Sequence, residues 1–168
     1  MDGNGDMVGR RARNTAWICL LLAAAANTAG YALGIWHSPV WFDEVVHAYT
    51  TFALTLVLAF HLHGRVYTGA RTHPATLTLA VASVGVAIGA IWEIAEWAYD
   101  QWIAPGDAIL GKWDTITDLG YDTLGALIAA AIATAVVRRQ PARRPASARP
   151  PPQSTDPARP AAALREYN

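Results

Sequence analysis

The run TLTLAVASVGVAIGAIWEIAEW, residues 76–97, decides the fold. It carries no ionisable group before Glu93. Its length is close to the 20 or so helical residues that a hydrocarbon core about 30 Å thick demands. Gly85 and Gly89 stand four apart in this otherwise Ala-, Val- and Ile-rich run, a spacing that predicts a close helix–helix contact face. The run then ends on Glu93-Ile94-Ala95-Glu96-Trp97, so charge begins where a span would leave the membrane.

Three more stretches of the same kind flank it: Thr15–Trp36, Asp43–Leu62 and Asp118–Val137, none of which contains proline. Trp17, Trp36, Trp41, Trp92, Trp97 and Trp102 gather near their ends, as interfacial anchors do. The whole chain agrees with this reading. Of its 168 residues, 53% are hydrophobic and only 15% charged, against about 25% charged in soluble domains. The expected fold class is therefore all-α, a polytopic transmembrane bundle of four helices with a disordered C-terminal tail. The single cysteine, Cys19, lies in an apolar run, which excludes a disulfide framework or a multi-cysteine metal site.

Net charge is zero, but the charges are segregated. Nine of the 13 acids lie between Asp43 and Asp122, and ten of the 13 bases lie outside that interval. Arg10, Arg11 and Arg13 precede the first span, Arg65 and Arg71 separate the second from the third, and Arg138, Arg139, Arg143 and Arg144 follow the fourth. Between the first and second spans there is no base, and between the third and fourth only Lys112. Every segment obeys the positive-inside rule if both termini are cytoplasmic. The expected organisation is a cytoplasmic N-terminus (1–14), spans at 15–36, 43–62, 76–97 and 118–137, a cytoplasmic loop (63–75), an extracytoplasmic loop (98–117) and a basic cytoplasmic tail (138–168). The first span is too long for a cleaved signal peptide. From Gln140 the Pro-, Ala- and Arg-rich composition cannot build a core and predicts disorder. Charge of this pattern speaks of membrane sidedness and gives no reason to expect a nucleic-acid partner.

Ionisable groups at membrane depth are costly and mark functional sites. Here they form three groups. Asp43 and His47 stand four apart on one helical face, Glu93 and Glu96 three apart, and Asp114, Asp118 and Asp122 follow at successive steps of four. The topology brings all three to one membrane level, on the non-cytoplasmic side. Small residues continue the same faces: Gly85 and Gly89 lead to Glu93, while Asp122 leads to Gly125, Ala129 and Ala133. The carboxylates are therefore expected to point into the bundle.

Carboxylates crowded in low dielectric require compensation by cations or protons, and no Arg or Lys lies within the three groups. A bound divalent ion (Mg, Mn, Zn or Fe), a proton or cation path, and a structural polar network are the open solutions. Oxygen ligands with one imidazole on facing helices suit the metal. Asp43, His47, Glu93, Glu96, Asp118 and Asp122 are the candidate ligands, with Asp100, Asp114 and Glu44 behind them; Glu44 and Asp107 are also read as solvent-facing. His61-Leu62-His63 and His73 fall on the other side, where they read as interfacial features. No phosphate loop, nucleophile elbow or triad is visible, and no organic cofactor is expected.

The pattern Asp43-x-x-x-His47, Glu93-x-x-Glu96-Trp97, Trp113-Asp114-x-x-x-Asp118 and Gly125-Ala126 resembles the small bacterial inner-membrane proteins of the YjdF type and, more distantly, the VanZ-like family. It covers roughly Val40 to Ala130. The VanZ-like pattern favours Gln after the first Glu and Asn near Asp122, and this chain has neither. The resemblance implies a multi-pass protein of the bacterial cytoplasmic membrane in a cell-envelope setting, and it strengthens the choice of residues without supplying a reaction. The expectation is a membrane protein with an acidic metal site, suited to metal-assisted hydrolysis or transfer on a lipid-linked or envelope substrate. A proton or cation carrier and a non-catalytic assembly or accessory protein are the alternatives. Membrane lipids are the expected partners, with a homo-oligomer through the Gly85/Gly89 face.

Overall fold

In a computed structural model the chain forms four helices: α1 (Gly3–Ala32), α2 (Val40–Val66), α3 (Pro74–Trp102) and α4 (Lys112–Arg138). The structure describes residues 3–35, 40–66, 73–105, 108 and 111–139, with side chains described over 9–35, 41–61, 73–105, 108 and 111–139. The expected disordered tail, His37, Asp107 and the loop arginines Arg65 and Arg71 lie outside these side-chain ranges. All four helices are long and apolar enough to cross a bilayer, as their sequence predicts.

Local chemistry sets the described helix ends. Helix α1 stops at Gly34, whose φ of 64° closes a turn in which its amide donates to the Tyr31 carbonyl; left-handed backbone of this kind favours glycine. Helix α3 starts on Pro74, which lacks an amide that would go unbonded there anyway, and His73 Nδ1 accepts from the Ala75 amide at 3.3 Å. Helix α4 begins after Gly111, at a φ of 134°.

The helices run past the expected span limits. Residues 98–102 extend α3 and residues 112–117 begin α4, so much of the expected loop 98–117 is helical. Hydropathy marks where a chain leaves hydrocarbon, whereas hydrogen bonding lets a helix continue into the interface.

Packing inverts the pattern of a soluble protein. Leu21, Leu22, Leu79, Ile91, Ile94, Ile128 and Ile132 are exposed, while His47, Thr51, Thr55, Glu93, Asp100, Asp118, Asp122 and Thr134 are buried. Apolar side chains face outward where lipid would lie, and polar ones fill the centre. Helix α4 packs on α2 and α3, and α1 packs on α2. Small residues permit the approach. A Cβ on Gly125 would run into the Ala48 carbonyl oxygen, and one on Gly85 would meet Thr55 Oγ1 and, at 2.6 Å, Ala126 Cβ. The Gly85/Gly89 face is thus a helix contact, as expected, but one made within the chain against α2 and α4. Away from the acidic groups the core is Ala16, Leu56, Val57, Ala59, Ala129 and Ala133, with Leu20, Phe52, Phe60 and Val81 against it.

Candidate metal centre

The N-terminal parts of α2 and α4 and the C-terminal part of α3 share one end of the bundle, the acidic end. His47 stands at its centre, with its side chain only 4% exposed. Its Nε2 lies 3.6 Å from Asp43 Oδ1. Its Nδ1 lies 3.6 Å from Glu93 Oε1 and 3.6 Å from Asp122 Oδ1. One imidazole is therefore flanked by carboxylates of α2, α3 and α4. The separations are too long for hydrogen bonds. They are close to the spacing of two ligands that share a small divalent ion at about 2.1 Å each, which stand roughly 3–3.5 Å apart.

Two overlapping sets can offer converging donor atoms, each set within 4.8 Å: Asp43, His47 and Asp118, and His47, Glu93 and Glu96. All six sequence-predicted ligands come to one place, Asp122 joining through His47. Within a metal site one ring nitrogen binds and the other is held by a carboxylate or carbonyl. The shared histidine fits that division in either direction.

The supporting contacts differ in kind. Asp122 is 2% exposed; its Oδ1 accepts from Thr51 Oγ1 at 2.6 Å, whereas its Oδ2 has no hydrogen-bond partner. Glu93 Oε1 is equally buried and unpartnered. Asp122 fits because α3 has no side chain at Gly89, where a Cβ would stand 2.8 Å from Asp122 Cβ. Glu96 lies nearer the surface and accepts from Trp92 Nε1 at 2.7 Å.

The three residues expected behind the ligands separate. Asp100 is buried and accepts from the Ala108 amide at 2.8 Å, tying down the chain that leaves α3. Asp114 occupies the first turn of α4. Glu44 stands beside Tyr121 of α4. Lys112 lies 5.8 Å from the Trp113 ring centroid, a cation–π arrangement.

Three contributors escaped the sequence reading. Thr51 is one helical step from His47 on the same face, a signal that was available. Gly89 was read only as a helix contact, and its role under Asp122 depends on the register between α3 and α4. Asn27, a single amide in the apolar α1, donates to the Ala23 carbonyl at 2.9 Å and to Thr50 Oγ1 at 3.0 Å. At the opposite end, Trp17 Nε1 donates to His61 Nε2 at 3.3 Å and His61 Nδ1 lies 2.9 Å from the Val57 carbonyl oxygen. Both ring nitrogens of His61 are thereby engaged, Nε2 with Trp17 of α1 and Nδ1 within α2.

Residues 10–139 match the model of the family described as predicted membrane protein (DUF2238), and the chain belongs to that family. The YjdF-type proteins are this family. No curated protein and no solved structure matches the chain.

Proposed function

We propose that this member of the DUF2238 family holds a divalent cation among Asp43, His47, Glu93, Glu96, Asp118 and Asp122, on the non-cytoplasmic side of a bacterial cytoplasmic membrane. The observation that carries this reading is the buried His47, with ring nitrogens 3.6 Å from carboxylates of three helices, beside the unpartnered Glu93 Oε1 and Asp122 Oδ2. Buried polar atoms in native proteins almost always have a partner. A cation held beside Glu93 would satisfy its Oε1 and offset the mutual repulsion of the acids.

Sidedness rests on charge. Arg10, Arg11 and Arg13 at the start of α1 and Arg138 and Arg139 at the end of α4 lie at the end of the bundle opposite the acids, which the positive-inside rule assigns to the cytoplasm. A divalent ion in such a site supplies Lewis-acid chemistry and an activated water. The residues then suit hydrolysis or group transfer on a lipid-linked or envelope substrate, with the acids that do not bind the ion available as bases.

Two observations weigh against the alternatives. A carrier needs a polar path through the bundle. Below Asp122 the hydroxyls Thr51 and Thr55 give way to Leu56, Ala59, Ala129 and Ala133 before the Thr78–Thr134 pair is reached. A purely structural network would satisfy its own members, whereas Glu93 Oε1 and Asp122 Oδ2 are left without hydrogen-bond partners.

Elemental analysis of the full chain purified without chelator tests the reading, after incubation with Mg²⁺, Mn²⁺, Zn²⁺ or Fe²⁺. About one ion per chain is expected for one of these metals, with its loss in His47→Ala and Glu93→Gln. Absence of every metal from the folded wild-type protein would overturn the proposal.

A further inference from the structure

One imidazole cannot give both of its nitrogens to one ion, so a metal-binding His47 has a binding side and a held side. The two nitrogens have unlike surroundings. Nδ1 faces two carboxylate oxygens, Glu93 Oε1 from α3 and Asp122 Oδ1 from α4, each at 3.6 Å. Among the described residues, Nε2 has one such neighbour, Asp43 Oδ1, at 3.6 Å and four residues back on its own helix. The number of oxygens separates the sides. A ring N–H is satisfied by a single acceptor, whereas a divalent ion takes about four to six ligands. The nitrogen with more oxygens around it is the one placed for the ion.

Burial points the same way. The side chains of Glu93 and Asp122 are 5% and 2% exposed, against 22% for Asp43. Glu93 Oε1, the oxygen that faces Nδ1, has no hydrogen-bond partner, and a buried acceptor in that state calls for a ligand. Asp122 is steadied by Thr51, whose hydroxyl donates to the same Oδ1 that faces Nδ1. That bond fixes the direction of the oxygen and leaves it a second lone pair for an ion. Asp43 differs in origin as well. It shares a helical face with His47, so their pairing is set within α2 and does not depend on how α3 and α4 pack.

We infer that the ion binds His47 through Nδ1 together with the acids of α3 and α4, Glu93 and Asp122 nearest the ring and Glu96 and Asp118 within the set. Asp43 is then a positioning residue. It accepts the Nε2 proton and holds the ring in the orientation that turns Nδ1 to the ion, as a carboxylate behind a metal-bound histidine does. This deepens the cation reading and rests on it. Helix α2 supplies one ligand and its holder, and α3 and α4 supply the charge that meets the ion.

Two measurements on the full chain in detergent test this. The first is affinity, by titration with the ion that the wild type retains. Asp43→Asn keeps an oxygen that accepts the Nε2 proton, so affinity should fall by less than about tenfold, short of the range for losing such a holder. Asp43→Leu removes the acceptor and should cost about 10–100-fold. Glu93→Gln removes a ligand and should lose the ion. The second measurement reads the nitrogen itself. With nitrogen-labelled histidine and a magnetic isotope of cadmium, nuclear coupling marks the nitrogen bonded to the metal, and His47→Ala identifies the His47 signals. Coupling at Nδ1 is expected in the wild type and in Asp43→Asn.

Coupling at Nε2 would overturn the inference. So would loss of the ion in Asp43→Asn, which would make Asp43 a ligand, and so would wild-type affinity in Asp43→Leu, which would show that Asp43 does not hold the ring. If the site refuses cadmium, the affinity series decides. The two readings fail separately. A folded wild-type protein that binds no metal removes both, whereas metal bound through Nε2 removes this one alone.

Discussion

The two ends of the α2–α3–α4 seam are built from the same small residues and put to opposite uses. At the acidic end, Gly89 makes room for the Asp122 carboxylate and Gly125 admits the Ala48 backbone of α2. Toward the other end, Ala129 and Ala133 close against Leu56 and Ala59, and the hydroxyls of Thr78 and Thr134 satisfy each other at 3.1 Å. In both places helices approach closely, as small residues allow in a membrane. What fills the space differs: charge with unpartnered oxygens at one end, methyl groups and a closed hydroxyl pair at the other. Tight packing by itself is a stability device, and it becomes a candidate site where the enclosed atoms cannot satisfy one another.

The largest expected effect breaks the comparison at its charged end. Asp118 is buried and converges with Asp43 and His47. Asp118→Asn should weaken metal binding at least about a hundredfold, the upper range for changes merely behind the ligands. In chelator the sign on stability reverses. Removing one of several like charges should then raise thermal stability, by roughly 1–4 kcal/mol for charges 4 Å apart between bulk-water and surface-like dielectric. Denaturation of wild type and variant in detergent, with metal and with chelator, measures both. If the variant is less stable in both conditions, Asp118 acts as a hydrogen-bonded structural residue and the comparison loses its charged half.

A matched pair of substitutions sharpens the same contrast one helical turn apart. Gly85→Ala and Gly89→Ala each push a methyl into occupied space, so each should cost about 1–3 kcal/mol by overpacking. Gly85 faces Thr55 and Ala126, whereas Gly89 faces Asp122. Metal affinity should therefore fall about 10–100-fold in Gly89→Ala and stay near wild type in Gly85→Ala. Titration of both variants by calorimetry checks this, and equal losses would show that the site senses general loosening of α3 against α4.

Much of this was legible in the sequence, for identifiable reasons. Four spans follow from the length of apolar runs, because the bilayer imposes one thickness on all of them. The convergence of Asp43, His47, Glu93, Glu96, Asp118 and Asp122 follows from alternating helix direction, which returns α2, α3 and α4 to one level. Spacing along a single helix could also have flagged Thr51. The Gly89–Asp122 contact could not be read that way, since it depends on rotation and register between two helices. Helix ends were set too short, because Lys112–Thr117 and Ala98–Trp102 are polar or aromatic enough to resemble a loop yet continue helical hydrogen bonding. Asn27 shows a further limit. A single amide in α1 gives no pattern by itself, and its meaning comes from its bond to Thr50 of α2.

The smallest effect belongs to the closed end, and its smallness is the point. Thr78 Oγ1 donates to Thr134 Oγ1 across α3 and α4, with Thr134 buried. Hydrogen bonds between transmembrane helices average only about 0.6 kcal/mol in stability. Thr134→Val keeps the side-chain shape and removes the hydroxyl, leaving Thr78 to find another acceptor. Helical hydroxyls readily do so by bonding the carbonyl four residues back, as Ser83 and Thr123 already do. The expected loss is therefore about 0.6 kcal/mol, with metal content unchanged. A loss of bound metal in Thr134→Val would mean that the two ends are coupled along the seam. The hydroxyls at Thr51, Thr55 and Thr134 would then have to be treated as one path, and the carrier reading would regain its footing.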